Sequence, residues 1–451
     1  MSVQATNLRG DVVRPGDDGY DEAARVFFAT GAPALVVRPR DPDDVAAAVT
    51  HAVRHDLTVS VRSGGHSPVG HGTNDGGMVI DLGHLAGVEV LDADRRIVRV
   101  GGGATWGAVA AALEPHGWGL TAGDTTHVGV GGLTLGGGIG WMVRRHGLAI
   151  DNLVGARVVT ADGRLVTASD DENSDLYWAL RGGGGNFGVV VDFDFVAQQV
   201  TTVHHGTITY RLDDTAALVR RWRDAMRVAP EELSSTLVLA PAMAGNPPMA
   251  MVLLCYAGDP GSGQLEADAA IEPLLELGDI VEASIAERPY AGILEHAQHP
   301  PGLRMVARNT LVPELDETII DAIAAAHPGG APTAFALRSL GGEFGRVPAA
   351  ATAFAHRDAE AMIVCGVMLP AAAADEQVEQ ALTGWRRVAA LGSGTYINFQ
   401  GSAGAEDVAA AYPPATYDRL AAVKRSYDPG NVFARNHNIA PATADAEGPA
   451  A

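Results

Sequence analysis

Apolar residues recur along this chain in two periods, and the periods divide it. Residues 33–38 (APALVV) read as a strand closed by Arg38-Pro39, and Val59–Val61 as the next. Between them, residues 42–55 carry apolar side chains at helical spacing, with Asp41 placed to cap the helix ahead of Pro42. Met78–Leu82 is a further expected strand. Val88–Leu91 and Ile97–Val100 read as a hairpin about Asp92-Ala93-Asp94, and Thr105–Leu113 as a helix capped by Thr105. Ala156–Thr160 and Arg164–Ala168 form a second hairpin around Ala161-Asp162-Gly163. Ser174–Leu180 reads as a helix and Val189–Val196 as a strand. From about Thr201 the texture changes. Expected strands at 205–211, 234–240, 249–255, 305–311, 333–338 and 361–367 alternate with expected helices at 214–227, 263–276, 315–327 and 374–390. That order predicts an antiparallel sheet with flanking helices. Prolines near 247–248 and 300–301 mark loops. A helix at 413–427 stops at Asp428-Pro429-Gly430-Asn431, and PATADAEGPA reads as a disordered tail.

Composition narrows the function. A chain of 451 residues exceeds one ordinary core, so two or three domains are expected. No run of about 18 apolar residues predicts a membrane helix, and the N-terminus has no apolar signal core. Cys255 and Cys365 are far apart and have no metal-ligand spacing, which fits a reducing cytoplasm. The net charge of −22 argues against nucleic acid or anionic membrane as partners. Lys424 is the only lysine, so no Gly-Lys phosphate loop exists. Trp141, Trp178 and Trp385 sit in apolar periods and read as core.

Glycine is concentrated: 22 of the 78 residues from Ser63 to Gly140, against a usual share of about 7 %. In Val128–Gly140 the glycines alternate with valine, leucine and isoleucine. That predicts backbone packed closely against a flat ligand rather than a linker. Before it, Val61-Arg62-Ser63-Gly64-Gly65-His66-Ser67 runs from a strand into a turn. It reads equally as an anion-binding nest with a built-in nucleophile, His66, or as a glycine turn with a surface histidine. Gly183-x-Gly185-x-x-Gly188 matches the dinucleotide fingerprint as text. A helix precedes it and a strand follows, so it reads as a helix C-cap with glycine turns.

Several runs occur in one order along nearly the whole chain: VRSGGHSPVGHGTNDGGMVIDL, GDTTHVGVGGLTLGGGIGWMVRRHGLAIDN, GGGGNFGVV, Tyr396-Ile397-Asn398-Phe399 and YDPGNVF. Together they resemble the berberine bridge enzyme-like flavin oxidases, which share the vanillyl-alcohol oxidase / p-cresol methylhydroxylase (PCMH) fold, and are most similar to the bacterial branch. The resemblance implies an α+β fold. A two-subdomain PCMH-type FAD-binding domain would span 1–200, an antiparallel-sheet substrate domain 201–411, and a segment returning to the FAD domain 412–451. FAD is the implied cofactor. Arg62, Ser63, Gly64, Gly65, His66 and Ser67 would cradle it, with Gly70 and His71 following. Gly123, Asp124, Thr125, Val128, Gly131, Gly132, Gly136, Gly138, Gly140, Leu148, Asp151 and Asn152 would line the ring and phosphate chain, with Val159, Asn398 and Asn436 also on the cofactor.

By the same resemblance His66 would bond the flavin 8α-methyl carbon. Thr125 stands where many relatives have a second attachment cysteine, so a single covalent bond is expected. Val128 matches a position where valine accompanies oxygen access. Tyr396 would be a general base or substrate anchor, with a positive group nearby to lower its pKa, and Asn398 would hold the ring or the substrate. His127 could assist. His71 invites a metal reading without partner ligands, so no metal is expected. The implied activity is an oxidase passing hydride to FAD and then to O2, giving H2O2. The substrate would be a small secondary metabolite, alcohol or amine lying against residues 201–411. A poorly oxygen-reactive dehydrogenase or a ligand-sequestering flavoprotein are the alternatives, and a homodimer is the expected partner state. Tyr256, Arg304, Arg308 and Glu343 are candidate specificity residues.

Overall fold

The computed structural model describes residues 8, 10–242, 247–259, 261, 263–296, 302–327 and 333–443. Its first sheet has the strand order Asp11–Val13, Leu35–Arg38, Met78–Asp81, Val59–Arg62. Leu35–Arg38 and Val59–Arg62 both run parallel to Met78–Asp81. The helix Pro42–Arg54 makes the crossover, and the Asp41 carboxylate accepts the Asp44 N–H at 2.8 Å. Its apolar stripe, Val45, Ala48, Val49 and Ala52, is buried against Val59, Met78 and Ile80.

A five-stranded antiparallel sheet follows, ordered Val88–Asp92, Ile97–Gly101, Val189–Val196, Leu153–Val159, Leu165–Ala168. Both expected hairpins form within it. Gly183, Gly185 and Gly188 lie between the helix Ser174–Leu180 and the strand Val189–Val196, the arrangement that excludes a Rossmann turn. Trp178 packs in this core, while Trp141 and Trp385 are buried in two others. The helix Pro414–Tyr427 returns here, with Leu420 and Ile439 in the same core as Phe187. Buried Lys424 donates to the Asn186 and Phe433 carbonyls and pairs with Asp428 at 2.6 Å, tying the two stretches together.

The third sheet has seven antiparallel strands: Ile280–Pro289, Thr202–Arg211, Met249–Tyr256, Leu233–Ala240, Thr333–Ser339, Ala361–Pro370 and Leu303–Val312, in that spatial order. One face, including Leu237, Phe335, Leu337 and Ile363, is buried under helices such as Thr215–Val228 and Glu317–Ala326. The other face turns toward the N-terminal sheets. The fold is therefore α+β with antiparallel sheets.

Four details depart from the sequence reading. The expected helix 374–390 breaks at Leu382 into Asp375–Ala381 and Thr383–Ala389. Ile280–Pro289 is an edge strand exposed on both faces, so it has no apolar alternation to betray it. Val130–Gly136 and Ala405–Ala411 are short helices outside the sequence reading, the first hidden by its glycines. The prolines at 300–301 and the tail from residue 444 lie outside the described residues. No helix among the described residues is long and apolar enough to cross a membrane.

Candidate functional site

A cavity of about 440 Å³ opens between the strand end at Arg62, the glycine-dense segment and the third sheet. Ser63, Gly64, Gly65, His66 and Ser67 form one wall. A side chain on Gly64 would strike the backbone of His127 and Gly129, so these two loops meet with no side chain between them. Gly65 turns at φ +69°, a conformation that favours glycine. The Ser63 hydroxyl accepts the Gly131 N–H at 3.3 Å, fixing the loop to the helix Val130–Gly136.

The His66 ring stacks on Phe27 with centroids 4.3 Å apart. Burial, reinforced by the nearby His127 ring, pulls its pKa down to about 4. At neutral pH the imidazole is uncharged and one nitrogen keeps its lone pair, the form that acts as a nucleophile. His127 itself is engaged, its Nε2 lying 3.2 Å from Nδ1 of His296.

Gly123, Asp124, Thr125, Val128, Gly131 and Gly132 form the facing wall. Burial opposes ionisation of Asp124, but its ion pair with Arg338 outweighs that and holds the carboxyl below its ordinary pKa. The Thr125 hydroxyl donates to Asp124 at 3.2 Å.

Tyr396 and Asn398 close the cavity on the sheet side. The Tyr396 hydroxyl accepts from the Gly138 N–H at 3.0 Å, the Ile139 N–H at 3.4 Å and Asn398 Nδ2 at 2.8 Å. Asn398 also donates to the Leu133 carbonyl. Asn309 brackets the Tyr396 backbone, accepting its N–H at 2.7 Å and donating to its carbonyl at 2.9 Å. The expected positive group is Arg338, yet burial dominates and raises the phenol's pKa against Arg338 and the three donors.

The cavity fits a flavin dinucleotide on two counts. Its loop wall is bare backbone, and two buried polar atoms on lining residues, Asn436 Oδ1 and His71 Nε2, have no partner among the described residues. Burial first, then His437 and Arg435, pulls the His71 pKa down to about 3, so it too is neutral. Among the described residues no three potential ligands gather around a metal site.

Some expected residues stand elsewhere. Arg62 borders the cavity, but its guanidinium is spent on the Ala23 and Arg25 carbonyls and on Asp81 at 2.9 Å. Gly70 makes a turn onto the Ser67 carbonyl outside the lining. Gly136 admits the Asn398 amide, and Gly140 admits the Ala122 carbonyl, each where a side chain would collide. Gly138 acts through its N–H on Tyr396. Leu148 and Val159 are core residues. Asp151 pairs with Arg357 at 2.7 Å, and Asn152 donates to the His146 and Leu148 carbonyls. Arg62 apart, these eight are outside the cavity lining. Tyr256, Arg304, Arg308 and Glu343 also lie outside the lining; Arg304 is 3.6 Å from Asp375, and Glu343 pairs with Arg346. Sequence reasoning missed Phe27, Met305 and Ala307, which line the cavity, and Arg338 behind Asp124. Alternation marked Met305 and Ala307 as sharing a strand face, but not which face.

Fold and cavity together define an FAD-dependent oxidoreductase. The family model described as FAD binding domain matches residues 33–169, and the one described as Berberine and berberine like matches residues 395–440. The (R)-6-hydroxynicotine oxidase of Paenarthrobacter nicotinovorans is 32% identical over 460 residues, 96% of this chain and 97% of its own. The crystal structure of 6-hydroxy-D-nicotine oxidase from Arthrobacter nicotinovorans superposes with a TM-score of 0.85 at 31% identity, covering 96% of this chain and 98% of that one. Glucooligosaccharide oxidase from Acremonium strictum, described with a 6-S-cysteinyl, 8α-N1-histidyl FAD, shares the fold at a TM-score of 0.85 and 24% identity, covering 98% of this chain and 100% of that one. The chain belongs to the berberine bridge enzyme-like FAD-linked oxidoreductases.

Proposed function

We propose that this protein is an oxidase that carries FAD on one covalent bond, through His66, and oxidises a small alcohol or amine. The observation that carries the reading is the neutral His66 imidazole, held against Phe27 in the cavity that also contains Tyr396 and Thr125. When bound, FAD supplies the two-electron acceptor for a substrate hydride and returns the electrons to O2. The Ser63–Ser67 loop binds the cofactor through backbone, and Asn436 and His71 offer it their unpartnered atoms. Thr125 has a hydroxyl engaged with Asp124 and supplies no second bond. Tyr396 rests protonated because it is buried, and serves as the anchor that orients the substrate. Val128 lines the cavity and leaves room for O2.

The test is a denaturing gel of the acid-treated protein under ultraviolet light. Flavin fluorescence should stay on the wild-type band and vanish in His66→Ala. Release of free FAD from the wild type would reduce His66 to a lining residue.

A further inference from the structure

The third sheet leaves one long edge open. The strand Ile280–Pro289, 10 residues, pairs with Thr202–Arg211 on one side and with no strand among the described residues on the other. Ile285 is half-buried and every other residue of the strand is exposed, so neither face is covered. Such an edge is a template for a further strand. The direction of its free groups follows from the ladder. The Tyr290 N–H bonds the Thr201 carbonyl, so at alternate positions Arg288, Ala286, Ser284 and Glu282 also turn their backbone groups toward Thr202–Arg211. The N–H and C=O groups of Ala283, Ile285 and Glu287 therefore point outward. Pro289 holds an outward position too, where its missing N–H costs nothing.

The side chains say what fits this edge. A second copy of the strand, antiparallel about a two-fold axis normal to the sheet, sets positions of like parity opposite each other. With Ile285 on the axis, opposite itself, Ala283 faces Glu287 and Ser284 faces Ala286. Glu282 then faces Arg288 on both sides of the axis. Both residues are exposed, and neither has an ion-pair partner among the described residues. Their backbone groups point inward, which makes each a pair of the closer kind, with Cα atoms about 4.5 Å apart. Sliding the register two residues either way loses both charge pairs, and sliding it four in one direction sets Glu287 against itself. The charges on this edge complement a copy of themselves in one register. Exposed Ile280 and Val281 add apolar surface at the end of the ladder.

We infer that the protein is a homodimer in solution, formed by antiparallel pairing of Ile280–Pro289 with the same strand of a second copy. The pairing joins two seven-stranded sheets into one. Met305 and Ala307, which line the flavin cavity, are on the opposite edge strand, Leu303–Val312, so the pairing leaves the cavity free. The test is light scattering of the purified, flavin-containing protein over a range of concentrations, which should find twice the chain mass. Arg288→Glu turns two attractive pairs into two repulsive ones and should weaken the dimer roughly tenfold. Glu282→Arg should do the same, and the two substitutions combined in one chain should restore it. Ala283→Pro removes an outward N–H that no bond within the chain uses, and should give monomers with an unchanged melting temperature. A wild type of single-chain mass would overturn the inference. So would a dimer that Ala283→Pro leaves intact, or a charge-swapped chain that folds but stays as weak as the single reversals.

Discussion

Arg338, on the sheet that floors the cavity, forms an ion pair with Asp124, which immediately precedes Thr125 on the glycine-dense wall. Both side chains are largely shielded from water. Removing one partner strands the other charge in a poorly solvated place, which typically costs about 3–5 kcal/mol. Asp124→Asn should therefore destabilise the protein by about 3 kcal/mol in urea unfolding. Asp124→Leu combined with Arg338→Leu should recover much of that. A loss in the double variant equal to the sum of the losses in Asp124→Leu and Arg338→Leu alone would show that the two residues act independently.

Tyr396→Phe keeps the ring and removes the oxygen that gathers three N–H donors. Turnover should fall at least tenfold with flavin retained on the chain, measured by peroxide release against flavin absorbance. Because burial raises this phenol's pKa, the wild-type rate should show no ionisation from Tyr396 below its ordinary value of about 10. A basic limb near neutrality that Tyr396→Phe abolishes would make it a general base instead.

Thr125→Cys places a thiol on the cavity wall that faces the His66 loop. In the combined variant His66→Ala/Thr125→Cys, mass spectrometry of tryptic peptides should find flavin on the peptide containing residue 125. Its absence would mean that the wall at 125 does not face the flavin ring.

Acid should loosen the protein through His71. Its folded pKa is about 3, against an unfolded value near 6.5. Between those values the unfolded chain binds the extra proton, so stability falls as pH drops from about 6.5 toward 3. His71→Asn should flatten the melting-temperature profile in that window. An unchanged slope would assign the effect to the other buried histidines, such as His146, whose pKa also lies near 4.

The sequence carried much of this architecture because its patterns are local. Asp41 and Thr105 cap the helices they were expected to cap, and Asp162-Gly163 turns its hairpin. The cavity's loop wall was legible too, since a glycine run interleaved with apolar residues has few uses. What stayed hidden depends on contacts far apart in sequence. Nothing near Phe27 announces His66, and nothing near Arg338 announces Asp124, because each pair meets only after sheets from different parts of the chain have packed. Arg62 misled for the same reason: its motif is intact, but Asp81 on the adjacent strand already holds its charge.

Lys424 is the chain's only lysine, and it and Asp428 expose no side-chain surface. Acylating reagents that seek amines therefore reach no lysine while the protein is folded, and reach Lys424 only once the core around Asn186 opens. Labelling of this one side chain becomes a chemical gauge of global opening.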